Sequence, residues 1–163
     1  MKKVTRLAIS LLACVAGQIS AKEWPKNDIY GTTFESACAP AQWQLIQSRI
    51  SELAGQRNPE DLTKLTRTLF CGDGLAATRY LRKHVARKVK VISESTGETK
   101  PSHSWNSPSD YSPMNGSAWD AGLGAEGEDV SLQYYPNEAC IVAKRLRFSG
   151  NQWQIFASSD ACD

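Results

Sequence analysis

Two cysteines that bracket a pair of helical segments constrain the fold of this 163-residue chain more than any other feature. Apolar residues recur at helical spacing over residues 40–54 and again over residues 59–71, and each segment has a proline at its first position. Only the short stretch 55–58 joins them, so the two helices should lie antiparallel. Cys38 and Cys71 then stand at the same end of the hairpin, which predicts a Cys38–Cys71 disulfide.

The rest of the chain predicts one more helix followed by strands. We expect the third helix from about Leu75 to Arg87, and a strand at Lys88–Ile92, where apolar and basic residues alternate. The C-terminal third predicts a three-stranded antiparallel meander, with turns near residues 135–138 and 149–152. Helices that precede a small antiparallel sheet are typical of an α+β domain in which the helices pack on one face of the sheet.

The meander also favours a second disulfide. If Phe148 faces Trp153 across the last turn, Cys140 falls opposite Ala161 and one residue from Cys162. The chain has five cysteines, and four remain when Cys14 of the N-terminal export segment described below is set aside. An even number of cysteines in an exported chain indicates disulfides rather than a metal site. We therefore predict a Cys140–Cys162 disulfide, and expect neither a metal nor a cofactor.

The first 21 residues have the order of a secretory signal peptide. A basic start with Lys2, Lys3 and Arg6 precedes an apolar run over residues 7–17, and small residues end at Ala21. The run is much shorter than the roughly 20 residues that span a bilayer. We predict cleavage after Ala21, and a periplasmic or secreted protein formed by residues 22–163 as a single domain without a transmembrane segment.

Removal of this segment changes the charge of the working protein. The whole chain has a net charge of +2, and the signal peptide holds three basic residues and no acid, so residues 22–163 carry −1. The apparent basicity is therefore no argument for a nucleic-acid partner. One alternative remains open, because Leu11-Leu12-Ala13-Cys14 resembles a bacterial lipobox and Cys14 would then anchor the chain through a lipid.

A stretch at about residues 94–127 is rich in Ser, Gly and Pro. Its apolar residues recur neither at helical nor at strand spacing, which predicts a long loop. It carries Trp105, Tyr111 and Trp119, and aromatic side chains on an adaptable polar loop are typical of binding surfaces. The alternative is that Trp105 and Trp119 pack inward and hold the loop against the domain.

Arg79, Arg82, Lys83 and Arg87 form a basic cluster, and no acid occurs between Asp73 and Glu94. The cluster predicts a cationic patch for an acidic partner. The alternative is a solvated helix face neutralised by the seven acids of residues 94–129.

The familiar catalytic motifs are absent from the sequence. We therefore expect a binding protein, of the inhibitor or immunity type, that recognises another protein of the cell envelope. Two alternatives stay open: a small cell-envelope hydrolase that uses a carboxylate or His103, and an accessory subunit of a secretion or surface apparatus.

Overall fold

The computed structural model describes residues 27–93, 98–103 and 120–162. Within these ranges the chain forms three helices and seven strands. In chain order the elements are β1 (Asn27–Glu35), α1 (Pro40–Ala54), α2 (Pro59–Cys71), α3 (Gly74–Lys83), β2 (Val85–Ser93), β3 (Glu98–His103), β4 (Asp120–Glu126), β5 (Asp129–Asn137), β6 (Cys140–Ser149) and β7 (Gln152–Cys162). The predicted α+β class is confirmed.

The helical hairpin has the predicted bounds. In α2, the Asn58 side chain accepts a hydrogen bond from the backbone N–H of Asp61 at 3.2 Å, which satisfies one of the free donors at the helix start. Gly55 ends α1 in the positive-φ region, at 57°. The Cys38–Cys71 disulfide is confirmed, with a Cα–Cα distance of 5.5 Å. The lengths of the two helices and the short connection therefore specify this half of the fold locally.

The strands lie in the order β1-β4-β5-β6-β7-β2-β3, and the sheet is mixed rather than antiparallel throughout. The exception is β2, which runs parallel to β7. Its direction is set where α3 meets the sheet, because the carbonyl of His84 accepts a hydrogen bond from the N–H of Ile155 at 2.7 Å. Val85 is thereby placed beside Ile155, which lies far along the chain and leaves no local signal in the sequence.

The third helix is shorter than its pattern predicts. It ends at Lys83, and Arg87 belongs to β2. His84 leaves helical geometry with φ −101° and ψ 12°, and its N–H bonds to the Leu81 carbonyl at 2.8 Å. Pairing of the next residues with β7 replaces the last helical turn, so β2 begins before the expected strand at Lys88–Ile92.

The predicted long loop at 94–127 contains two strands. The core-facing residues of β4 are Ala121, Leu123 and Ala125, and the glycines between them are buried as well. A strand of small residues covered on both faces shows no alternation, and this hid it in the sequence. The other strand, β3, forms the edge of the sheet, where Pro101 is tolerated. Residues 94–97 and 104–119 lie outside the described residues.

The C-terminal meander of β5, β6 and β7 is confirmed, as is the pairing of Phe148 with Trp153. One extra residue on β7, Phe156, forms a bulge, and the register shifts by one position beyond it. Cys140 therefore lies opposite Cys162 and not opposite Ala161 as expected. The structure establishes one of the two predicted disulfides, the one between the cysteines that flank the helical hairpin. The Cys140–Cys162 disulfide stays a prediction.

The core lies between the helices and one face of the sheet. Complete burial of a Leu, Ile or Trp side chain contributes about 1.5–3 kcal/mol, so this layer supplies most of the favourable free energy of folding. Its fully buried large side chains include Ile46, Ile50 and Leu53 of α1, Leu62, Leu65 and Leu69 of α2, Leu81 of α3, and Leu123, Leu132, Leu146 and Trp153 of the sheet.

Asp61 joins the helices to the sheet. Its Oδ2 accepts a hydrogen bond from the backbone N–H of Trp153 at 2.7 Å, and its Oδ1 lies 3.3 Å from Nε2 of His84. The indole Nε1–H of Trp153 in turn donates to the carbonyl of Arg57 at 2.6 Å. The first turn of α2, the end of α3 and the start of β7 are thus tied through one carboxylate.

We expect Asp61→Ala to lower the free energy of unfolding by about 2–3 kcal/mol, because it leaves the Trp153 N–H without its acceptor and removes a charge from the start of α2. Urea denaturation measures the change. Glu60→Ala, in the same first turn and exposed, is the matched control and should cost less than about 1 kcal/mol. Equal losses in the two variants would show that Asp61 acts only through the helix dipole.

Candidate functional site

The predicted basic cluster lies on the surface, and we call it the basic face: Arg79, Arg82 and Lys83 of α3 with Arg87 of β2, all exposed. Two residues of α3, Ala77 and Leu81, are buried and orient the helix. The opposite side follows helical spacing from Leu75, which is 79% exposed, through Arg79 to Arg82. The core contacts of α3 therefore direct its cations into solvent together with one apolar side chain.

Two acids of the neighbouring segment, Glu126 and Asp129, form ion pairs away from the basic face. Glu126 pairs with Arg145 at 2.7 Å, and Asp129 holds Arg147 through two hydrogen bonds of 2.8 Å. In the described part of the chain, no carboxylate lies within ion-pair distance of the basic face. Glu126 and Asp129 thus do not form ion pairs with the basic face, as the alternative interpretation would have them do.

Two cations of α2 extend the basic face, and the sequence analysis missed both. The Lys64 ammonium lies 5.0 Å from the centre of the Tyr80 ring, and the Arg67 guanidinium lies 4.5 Å from that of Trp43. Lys83 follows Tyr80 by three positions on α3 and is its neighbour on the helix surface. The available signal was the spacing of Lys64 and Arg67, which puts both on the polar side of α2.

His84 is held between fixed partners. Its ring lies 4.2 Å from that of Tyr80, its Nδ1 is 3.1 Å from the Tyr80 carbonyl oxygen, and its Nε2 faces Asp61. Both ring nitrogens are thus occupied by contacts within the fold. His84 links α3 to α2 and is not placed to carry protons to a ligand.

Tyr80 lies beneath Lys64 with its hydroxyl buried, and among the described residues this hydroxyl has no hydrogen-bond partner. Burial raises the pKa of Tyr80 to about 12, and the charge of Asp61 adds to the effect. Both causes disfavour the phenolate in the folded protein.

We predict that alkali destabilises the protein through Tyr80. Because its pKa is about 12 in the folded chain and ordinarily 10.0, the stabilisation is complete below pH 10 and is lost as the pH rises through 12. Tyr80→Phe should reduce the fall in melting temperature over this range and leave stability near pH 7 unchanged or slightly higher, since no hydrogen bond is lost. Calorimetric melting at several pH values measures both effects. An unchanged alkaline profile in Tyr80→Phe would contradict the assignment.

The β4–β5 turn carries three acidic residues, and guanidinium groups bind the carboxylates of Glu126 and Asp129 and the backbone carbonyl of Glu128. Besides the pairs already described, the Glu128 carbonyl accepts a hydrogen bond from Arg57 at 2.7 Å. The hydrogen bonds that Arg147 donates to Asp129 raise the pKa of Arg147, whereas burial lowers the pKa of Arg57. Within the described ranges, no group of three His, Cys, Asp or Glu side chains is placed to hold a metal ion.

A buried amine stands beside a hydroxyl on the helix-facing side of the sheet. Lys144 is 3% exposed, and its Nζ donates a hydrogen bond to the Oγ of Ser158, directly opposite on β7, at 2.7 Å. The bond satisfies an ammonium group that is costly to bury. The same pairing of serine and lysine is used as nucleophile and base in some hydrolases. The sequence signal was a lysine at an apolar position of the strand alternation, two residues before Leu146.

The described part of the chain does not show the other predicted site residues in contact with the basic face. Trp105, Tyr111 and Trp119 all lie outside the described residues. His103 ends β3, where its backbone pairs with that of Val89. Among the described helices, none is both long and apolar enough to cross a membrane.

Comparison with known proteins leaves the chain without a family. No protein-family model matches the sequence, and no curated protein is similar to it. Among solved structures, a DUF4783 family protein from Bacteroides ovatus aligns with 67% of this chain and 98% of its own length. The sequence identity is 14% and the TM-score is 0.40, so this likeness supports no inference about function.

Proposed function

We propose that this chain is an exported binding protein, stabilised by disulfides, that docks its basic face on an acidic surface of another cell-envelope protein, as inhibitors or immunity proteins do. One observation supports the proposal most directly. Six cations on α2, α3 and β2 are exposed, and no carboxylate lies within ion-pair distance of them among the described residues. They are Lys64, Arg67, Arg79, Arg82, Lys83 and Arg87.

Cations with no carboxylate partner among the described residues suit recognition of another molecule. Bonds to a partner's carboxylates replace bonds to water, and the shared positive potential accelerates encounter with an acidic surface. Leu75, exposed beside Arg79, offers an apolar contact within the same surface. We further propose, from the sequence alone, that Trp105, Tyr111 and Trp119 contact the partner.

The compartment is the second part of the proposal. The Cys38–Cys71 disulfide is compatible with an oxidising compartment, and the signal peptide is the route by which the chain would reach it. The Cys140–Cys162 pairing is supported by the strand register. Opposed residues of antiparallel strands have Cα atoms about 4.5–5.5 Å apart, within the range that a disulfide spans.

We predict that Arg79→Gln/Arg82→Gln/Lys83→Gln weakens capture of the partner from an envelope extract by about tenfold or more, because it removes the charges that steer and hold an acidic surface. Partner retained on immobilised protein, quantified by mass spectrometry, measures the effect. Gln44→Glu/Ser48→Glu/Gln56→Glu lowers the net charge equally at exposed positions of α1 and its connection, and should retain the partner.

Unchanged capture by the triple neutral variant would overturn the docking proposal. The hydrolase alternative has its own readout. If the purified protein cleaves cell-wall or polysaccharide material and His103→Ala abolishes the cleavage, the hydrolase alternative is correct and the binding proposal fails. Capture of a component of a secretion or surface apparatus through the basic face would favour the accessory-subunit alternative.

We predict that the full chain expressed in a bacterium is recovered from the periplasm with a mass that corresponds to cleavage after Ala21. Peptide mapping without reduction should then recover Cys38 linked to Cys71 and Cys140 linked to Cys162. A mass that shows acylation at Cys14 would establish the lipid-anchored alternative. A reduced, uncleaved chain in the cytoplasm would contradict the export proposal.

A further inference from the structure

An open groove of about 480 Å³ runs between α1 and α2 on the outer side of the helical hairpin. Its α1 wall is formed by Trp43, Gln47 and Ser51, which recur at helical spacing, and its α2 wall includes Glu60, Lys64 and Arg67. The opposite sides of both helices are committed to the core. The groove is therefore a surface feature that folding leaves available.

Some polar groups of the groove are hydrogen-bonded within their own helices, and others are available to a ligand. The hydroxyls of Ser51, Thr63 and Thr68 donate to carbonyls one turn back in their own helices, at 3.0, 2.7 and 2.8 Å. The cations and the carboxylate extend beyond these hydroxyls from exposed positions. A ligand therefore meets two cationic donors, Lys64 and Arg67, and one anionic acceptor, Glu60.

The stacking of Arg67 on Trp43 orients the guanidinium. The Cζ of Arg67 lies over the indole, 4.5 Å from the ring centre. A guanidinium that lies flat on an aromatic ring keeps its N–H edge for a planar anion. A carboxylate matches that edge with two parallel hydrogen bonds. The indole beside it supplies an apolar wall, so the groove suits a ligand with a carboxylate next to an apolar group.

We propose that this groove binds an acidic peptide segment of the partner protein, with a carboxylate side chain of that segment on Arg67 and Lys64 and an apolar side chain against Trp43. The proposal rests on the proposed function, since it names the partner chemistry recognised where the basic face continues onto α2. Lys64 is the point of continuity, because it belongs to the groove and lies on Tyr80 beside Lys83.

A peptide fits the groove better than an anionic polysaccharide does. Glu60 lies four residues before Lys64 on the same wall. A carboxylate is a hydrogen-bond acceptor, and a peptide supplies backbone N–H donors at regular spacing. The same carboxylate repels a polymer that is anionic at every unit. The mixed charge of the walls therefore favours alternation of acidic and apolar side chains over uniform negative charge.

The test uses the full mature chain and a short fluorescein-labelled peptide of alternating glutamate and leucine residues, with fluorescence anisotropy as the readout. Arg67→Gln should weaken peptide binding by about tenfold, the effect of losing one charge-assisted hydrogen-bonded contact. Gln56→Glu lowers the net charge by the same amount outside the groove and should change binding by less than about twofold. Arg67 is exposed, so its replacement leaves the core intact.

Three outcomes would overturn the inference. Equal weakening by Arg67→Gln and Gln56→Glu would mean that only net charge matters. Tighter binding of a heparin fragment, with the same dependence on Arg67, would assign the groove to a sulfated glycan. Loss of partner capture in the triple variant of α3, with peptide binding insensitive to Arg67, would leave the proposed function standing without the groove.

The opposite result would support the groove and contradict docking through the basic face. If Arg67→Gln loses the peptide while the triple variant of α3 captures its partner normally, the groove is the binding site and docking through the basic face is wrong. Lys64→Gln provides a second variant on the same wall, and it should reproduce the direction of the Arg67→Gln effect.

Discussion

The bonds of the Asp61 carboxylate hold the helices and the sheet in one arrangement. One oxygen accepts the backbone N–H of Trp153 at the start of β7, and the other faces His84 at the end of α3. A buried N–H left without an acceptor costs about 1–3 kcal/mol, so the position of α2 on the sheet is not easily changed. The angle of α3, and with it the direction in which the basic face points, follows from this junction.

The distribution of charge follows from the same architecture. Arg145 and Arg147 project from β6 toward the β4–β5 turn and pair with its acids. The helices lie on the other side of the sheet, where two acids are paired within the fold, Glu52 with Arg49 and Asp61 with His84. Among the described residues, the cations of α2 and α3 therefore remain available, with no carboxylate within ion-pair distance. Their availability is the physical basis of the proposed binding function.

Local signals predicted much of the helical half, and contacts between distant segments decided the rest. Proline at the first position, a capping Asn58 and a terminal glycine specify the hairpin within a few residues. The early end of α3 depends on β7, which pairs with the residues that would form its last turn. The strand β4 was hidden because its small residues are buried on both faces. The bulge at Phe156, which brings Cys162 opposite Cys140, likewise has no local mark.

The sequence alone determined the helical hairpin with its Cys38–Cys71 disulfide, the meander, and the exposed cations of α3, because each depends on spacing within a short stretch of chain. Only the tertiary structure decided which cations have no carboxylate partner in the described part of the chain, that Arg67 lies over Trp43, and that Lys144 bonds to Ser158. Those facts depend on how separate elements pack. A side chain's neighbour across a helix pair or a strand pair is set by register and angle, and neither is encoded at a single position.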